Sequence, residues 1–402
     1  MAFFGRSNGR PLRPFSKHCK SAGHPPLCHV RPAPAGRDTE LGYPADLDIF
    51  WKRQACRPVR ACWKSCPSCI RSCVLHPWDV DLFPPSDFDY NVLRRQLAAA
   101  AEAGVYLGTS SWKYPGWLGT VYDEQRYLGR GGKISVSLLE QTCLQEYAML
   151  FPTVCVDAAY YRFPVVDDLL AMAEQVPEDF RFTFKVTDEI TIKHFPTLPK
   201  YGARGGSENP HFLDLELFNS AFLRPCQSIA GKVGMLIFEF SPFDSYDMSQ
   251  WPRLMVALDR FLGGLPTRWH YGVEIRNRGV LTPDYFAMLG SHGISHVYNS
   301  WSAMPALEEQ LAMPGSLTNP ECVGARLLLK PGRKYDEAVK AFSPYEVTHE
   351  ELPAVRRAAA HLVRQRLLSL PNRRTFIYVN NRLEGNAPRT IAAVLAMAEA
   401  AG

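Results

Sequence analysis

From Val105 onward the sequence repeats one unit: a short β-branched or aromatic run, a loop, then an apolar stretch at helical spacing. That alternation predicts a parallel sheet covered by helices. Strands are expected at 105–110, 154–158, 181–185, 233–238, 270–275, 295–298, 324–329 and 375–379. Eight strands with intervening helices in about 300 residues point to a (β/α)8 TIM-type barrel. The alternative, an open doubly wound sheet, usually carries a glycine-rich first turn, and residues 104–111 contain none.

The pattern is sharpest in Phe180, Arg181, Phe182, Thr183, Phe184 and Lys185. Three phenylalanines alternate with polar residues, so one face suits covering helices and the other suits a barrel interior. Lys185 then stands at the carboxyl-end mouth, where such barrels keep their sites. Helix starts are legible too. Thr348 with Glu351 reads as a capping box before a helix over 352–370, Thr282 with Pro283 opens another, and Asn386 with Pro388 opens a last one over 389–400. Apolar residues at three-and-four spacing mark helices over 136–150 and 249–262. The long connections 187–210 and 300–321 are expected to be unstructured, in the manner of lids.

Composition divides the chain in two. Residues 1–90 hold seven of the 11 cysteines, 12 of the 32 prolines, and 13 Lys/Arg against 8 Asp/Glu; residues 91–402 hold 32 of each charge type, so the net charge of +5 belongs to the first segment. A Cys/Pro-rich basic leader over 1–90, without hydrophobic periodicity, is expected to be disordered ahead of the barrel domain over 91–402. Cys62, Cys66 and Cys69 have the spacing with which radical enzymes using S-adenosylmethionine hold an iron-sulfur cluster, and Cys66 with Cys69 could serve zinc. The triad precedes the first strand instead of following it, and Cys73 with His76 is a poor second zinc pair. A non-essential leader is therefore favoured over a metal site there, the barrel shows no close His/Asp/Glu set with metal spacing, and no particular cofactor is predicted. No apolar run approaches the roughly 18 residues of a membrane span. The amino terminus lacks a secretory apolar core, so the simplest address is the cytoplasm.

Several motifs occur in a fixed order: Gly108, Thr109 and Ser110 with Trp112, Tyr114 and Trp117; Tyr160, Tyr161 and Arg162; Phe182, Phe184 and Lys185 with Ile190, Thr191 and His194; Glu274 with Arg276; and Asn380 and Asn381 with Gly385 and Asn386. Together they resemble the bacterial family known as domain of unknown function 72, or YecE-like, over about 105–395. The resemblance implies a TIM-type barrel and strengthens the candidate site, to which Arg162, His194 and Asn380 also belong, without implying a reaction; His194, at the start of the long loop after the third strand, could swing in as an acid or be incidental. Against the family pattern, Asp157 stands for a longer acid, Glu239 for a glutamine, and Leu328 for a histidine paired with Arg326.

Strand parity selects the residues that meet at the mouth. Tyr271, Val273 and Ile275 fit the helix side, which turns Glu274 and Arg276 inward; the same argument turns Ser110, Trp112, Asp157, Tyr161, Lys185, Glu239 and Arg326 toward the axis. Asn381 is preferred to Asn380 at the end of the last strand. Lys185 could be a general base, a Schiff-base amine or an anion clamp, or an ion pair with Glu274 or Asp157 that stiffens the barrel. Glu274 with Arg276, and Asp157 with Tyr161, are candidate proton-transfer pairs. Trp112 and Trp117 could stack on a ligand or pin a loop. Lys330, Arg333 and Arg382, beside Gly332 and Gly385, bring cations to the loops where many TIM barrels bind phosphate.

These residues together predict general acid-base chemistry on a small polar or anionic ligand, with hydrolase and lyase or isomerase reactions both open. Phosphodiester or nucleic-acid processing is the second reading, by analogy with repair nucleases of similar barrel shape; the neutral barrel lacks the basic patch that usually serves nucleic acid. A non-catalytic ligand-binding protein is the third.

Overall fold

A computed structural model describes residues 88–368 and 372–400. The expected disorder of the leader and the readings of Cys62, Cys66, Cys69 and Cys73 lie outside the described residues. Eight parallel strands close into a barrel in sequence order: β1 (Val105–Thr109), β2 (Thr153–Val156), β3 (Arg181–Lys185), β4 (Val233–Phe240), β5 (Tyr271–Ile275), β6 (Ser295–Ser300), β7 (Cys322–Leu327) and β8 (Arg374–Val379). β8 returns to pair with β1 over five residues. Each strand falls where the alternation places it, within two residues at every end. β2 is the informative case, because it stops at Val156 and Asp157 opens a tight turn.

Period two sorts the side chains into two environments. Phe180, Phe182, Phe184, Val273 and Ile275 join the apolar layer between sheet and helices. Cys155, Met235, Ile237, Val297, Phe376 and Tyr378 fill the barrel interior. Polar atoms at that depth pair with one another: the Tyr378 hydroxyl donates to Thr183 Oγ1 at 2.6 Å and lies 2.8 Å from Thr153 Oγ1. Above this plug, two residues further along several strands, the interior positions turn charged.

The helices carry some corrections. A helix at Tyr90–Glu102 that the strand pattern does not announce is capped by Asp89, which accepts from Val92 N, and it buries Tyr90, Leu93 and Leu97 at three-and-four spacing. Packed structure therefore reaches back across the composition boundary at residue 90. Thr282 and Asn386 cap helices as expected, accepting from Tyr285 N and Arg389 N. The helix expected over 352–370 runs Pro353–Leu367, and no side chain caps its first turn. Pro353 at the first helical position accounts for the later start, since its fixed φ suits that place and its missing N–H needs no acceptor. The connection 187–210 is not structureless: it holds a short helix at Asp188–Thr191, a 3-10 segment at Pro199–Arg204 and a bridge between His194 and Glu208. The connection 300–321 holds a helix at Leu307–Ala312.

Gly108 packs against the backbone of β2, and a Cβ there would lie 2.0 Å from Thr153 O. Backbone cannot yield as a flexible side chain does. Gly108→Ala is expected to destabilise the fold by about 1–3 kcal/mol, read as a lower urea midpoint with an unchanged slope. An unchanged midpoint would mean that the two strands are not held this closely.

Candidate functional site

The carboxyl ends of the strands assemble a buried layer of charge. Glu239 on β4 and Glu274 on β5 are register partners. Two neighbouring carboxylates inside a barrel repel unless cations stand between them. Arg326, from β7, supplies one: its Nη1 reaches Glu239 Oε2 at 2.8 Å and Glu274 Oε2 at 2.7 Å, and its Nη2 donates to Asp157 Oδ1 at 2.8 Å. Arg276, one residue past β5, supplies another, with Nη2 2.8 Å from Glu239 Oε2 and 3.0 Å from Glu274 Oε1. Lys185 Nζ lies 2.6 Å from Glu239 Oε2. Three cations thus meet three carboxylates, with Arg326 touching all three anions.

Burial and charge oppose one another here. Burial alone would raise the Glu239 carboxyl, but Arg276, Lys185 and Arg326 overcome it and hold the group well below the usual carboxylate range. Burial likewise disfavours the charge on Arg326, yet Glu274 and Asp157 more than offset it and hold the guanidinium well above its ordinary value. Cys155 sits just beneath, its Sγ 3.6 Å from Asp157 Oδ1, and burial pushes its thiol up. That makes it a packed thiol and not a thiolate nucleophile. The layer has one open edge. The Asp157 side chain is 24% exposed, against 6% for Lys185 and 4% or less for Arg276, Arg326, Glu239 and Glu274.

The geometry favours some readings of these residues over others. Lys185 is paired with Glu239, not with Glu274 or Asp157, and the Tyr160 ring lies over it, 3.9 Å from Nζ to centroid. An ion-paired, ring-covered lysine serves as a cation, which supports the clamp over the base or Schiff-base amine. Both Glu274 oxygens are engaged by guanidinium groups. Tyr161 packs edge-on against Tyr160 at 5.3 Å.

Other expected site residues are placed elsewhere. Trp112 and Trp117 are core residues: Trp117 stacks on Tyr147, and Tyr122 Oη donates to Trp112 O. They pin the loop after β1. Arg162 pairs with Asp168 at 2.6 Å, and His194 lies beside Lys193, which binds Asp247 at 2.5 Å. Arg333 pairs with Glu350, which also takes Lys330 at 2.6 Å, so these two cations share a carboxylate. The helix Ala387–Ala400 begins with its amides engaged, Ala387 N by Asn381 Oδ1 at 2.8 Å and Arg389 N by Asn386 Oδ1 at 3.0 Å. The phosphate cradle expected from Arg333 and this helix is thus occupied by the protein's own groups. Parity continued from Phe376 and Tyr378 selects Asn380 for the interior, against the preference for Asn381, whose amide oxygen serves the helix. Asn380 Oδ1 accepts from Arg382 N at 3.0 Å. Ser110, at the end of β1, is buried.

Three residues escaped the parity argument because loops deliver them: Tyr160 over Lys185, Trp301 over Arg276 at 3.8 Å, and Arg382, which stacks on Tyr335 at 4.4 Å. The signal for the first two was an aromatic within a few residues of a strand's carboxyl end. Among the described residues no group of three or more His, Cys, Asp or Glu side chains is disposed to hold a metal ion. Nor is any helix among them long and apolar enough to cross a membrane.

Comparison with known proteins places the chain in a group. The family described as "Protein of unknown function DUF72" matches residues 106–402. Curated relatives include the UPF0759 protein YecE of Escherichia coli strain K12 and of Escherichia coli O157:H7. Each is 28% identical over 183 residues, 46% of this chain and 50% of the relative, so the chain spans about half the length of the curated relatives it matches. Among solved structures, a DUF72 family protein (EF0366) from Enterococcus faecalis V583 is 17% identical with a TM-score of 0.46, covering 73% of this chain and 95% of that one. A DUF72 family protein (TM1631) from Thermotoga maritima MSB8 is 18% identical with a TM-score of 0.45, covering 74% and 98%.

Proposed function

We propose, from the premise that this chain belongs to the DUF72 family, that it is an enzyme transferring a proton to or from a small polar ligand at the carboxyl-end mouth of its barrel. Asp157 is the proton-transferring group. Lys185, Glu239, Glu274, Arg276 and Arg326 form the array that fixes its position and sets the field around it. The observation that carries this reading is the contrast in exposure within one connected network: five charged side chains are buried, and the sixth, Asp157, opens to the mouth. A buried ion-pair network contributes little net stability compared with an apolar filling of the same volume, so six charges in a barrel interior are poorly explained as reinforcement. Preorganised charge beside an accessible carboxylate is what acid-base catalysis uses.

The test is a thermal-shift panel of sugar phosphates, nucleotides and organic acids on the full chain, with conversion of any ligand found followed by NMR. A ligand at about 100 times its Kd should stabilise the protein by about 2.7 kcal/mol. Asp157→Asn is expected to keep binding and slow conversion by about 10²- to 10⁴-fold. Undiminished conversion in that variant removes Asp157 from the chemistry. Binding without conversion by the unaltered chain would make the bowl a ligand pocket and the protein a non-catalytic binder.

A further inference from the structure

The cations around the mouth are almost all spent. Lys185, Arg276 and Arg326 are held by Glu239, Glu274 and Asp157, and Lys330 and Arg333 by Glu350. Arg382 is different. Among the described residues no carboxylate lies within ion-pair distance of it; its guanidinium rests on the Tyr335 ring, 4.4 Å from the centroid, with Tyr114, Tyr345 and Asp157 in electrostatic reach. Tyr114 and Tyr345 close the box edge-to-face at 5.6 Å. A half-buried guanidinium loses hydration, and an aromatic face restores only part of it.

A further unmatched group lies in the same sector. Arg382 follows β8, β8 pairs with β1, and β1 with β2, so the carboxyl ends of β8, β1 and β2 adjoin. Ser110, whose N donates to Val379 O at 3.1 Å, has a buried Oγ with no hydrogen-bond partner among the described residues. Buried polar groups in native proteins are nearly always paired, so an unpaired hydroxyl at the end of the strand that pairs with β8 points to a missing acceptor. A group that accepts several hydrogen bonds and carries negative charge satisfies a guanidinium and a hydroxyl together.

We infer that the β8–β1–β2 sector binds an oxyanion group of the ligand, a carboxylate or a phosphate, with Arg382 as its cation and Ser110 as a neutral donor. The inference rests on the reading of the mouth as the ligand site and names the ligand's charged end. Asp157 repels that end, which leaves the uncharged remainder of the ligand to face the acid. It also moves the anion anchor from Arg333, whose charge Glu350 already takes, to a residue at the start of the next loop.

The experiment titrates the full chain with inorganic phosphate and, separately, acetate, at constant ionic strength set by chloride, and reads melting temperature. Saturable stabilisation by one probe is expected, with the stronger effect of phosphate or of acetate telling the two sources apart. Losing the charged hydrogen bonds in Arg382→Gln should weaken it by about 10- to 100-fold. Arg382→Lys should recover part of the affinity, and Arg333→Gln should match the unaltered chain. A second measurement needs no variant: phenylglyoxal modification, mapped by mass spectrometry, should slow at Arg382 when the anion is present and stay unchanged at Arg333. Failure of both probes to saturate, full binding by Arg382→Gln, or protection at Arg333 instead of Arg382 would each overturn the inference. Asp157→Asn separates this from the catalytic reading. Anion binding that follows Arg382 while that variant still converts ligand leaves the anion site standing and removes the acid; conversion that depends on Asp157 with no dependence on Arg382 does the reverse.

Discussion

Arg326→Met is expected to destabilise the fold by about 3–5 kcal/mol, a drop in melting temperature of roughly 5–15 °C. The single guanidinium contacts Asp157, Glu239 and Glu274, so its loss leaves carboxylates facing one another in a barrel interior with only Arg276 and Lys185 to compensate. Methionine fills much of the volume, which isolates the charge effect from a cavity. The loss should depend on pH. Glu239, which Arg326 helps to hold well below the usual carboxylate range, is less depressed in the variant, so the penalty is full at neutral pH and the gap between variant and parent shrinks as pH falls through the ordinary carboxylate range. Urea denaturation at pH 8 and pH 4 measures this. A gap below about 1 kcal/mol at pH 8, or one that widens on acidification, would show that Arg326 is not the counter-ion the geometry makes it.

The interior half of this network was legible from sequence because strands impose a rule. In a period-two element, knowing that Val273 and Ile275 face the helices decides that Glu274 faces the axis, and the same arithmetic places Lys185, Glu239 and Arg326. Asp157 was selected as a strand residue and is found in the turn after β2, which is why it alone is open. Loops impose no such rule. Nothing in the sequence distinguishes Arg333 from Arg382 as the unpaired cation, because the difference lies in where Glu350 folds back, and that carboxylate reaches Lys330 and Arg333 from a separate segment. Tyr160 and Tyr161 are likewise adjacent in sequence, and only the turn at Asp157–Tyr160 decides which ring covers Lys185. Pairing within the layer was also open. Lys185 could have met Glu274 or Asp157, and the register that sets Lys185 beside Ile237, two residues before Glu239, brings it to Glu239 instead.

That pairing supports a double-mutant cycle on Lys185 and Glu239. Glu239→Gln alone should cost about 3–5 kcal/mol, because Lys185, Arg276 and Arg326 would converge on a neutral amide in a buried site. Lys185→Met alone should cost less, since Glu239 keeps two guanidinium partners. The double variant should be more stable than the sum of the two losses implies, with a coupling of about 0.5–3 kcal/mol. The acid limb gives a second reading of the same contact. Glu239 is depressed in the folded state from an ordinary value of 4.5, so its contribution is present in full above that pH and is lost as pH falls toward the folded value. The parent should therefore lose stability below about pH 4.5 more steeply than Glu239→Gln, and the two curves should converge in acid. Additivity within about 0.5 kcal/mol, with parallel acid limbs, would mean that the Lys185–Glu239 contact at 2.6 Å carries no energy of its own and that the two arginines alone hold the carboxylate.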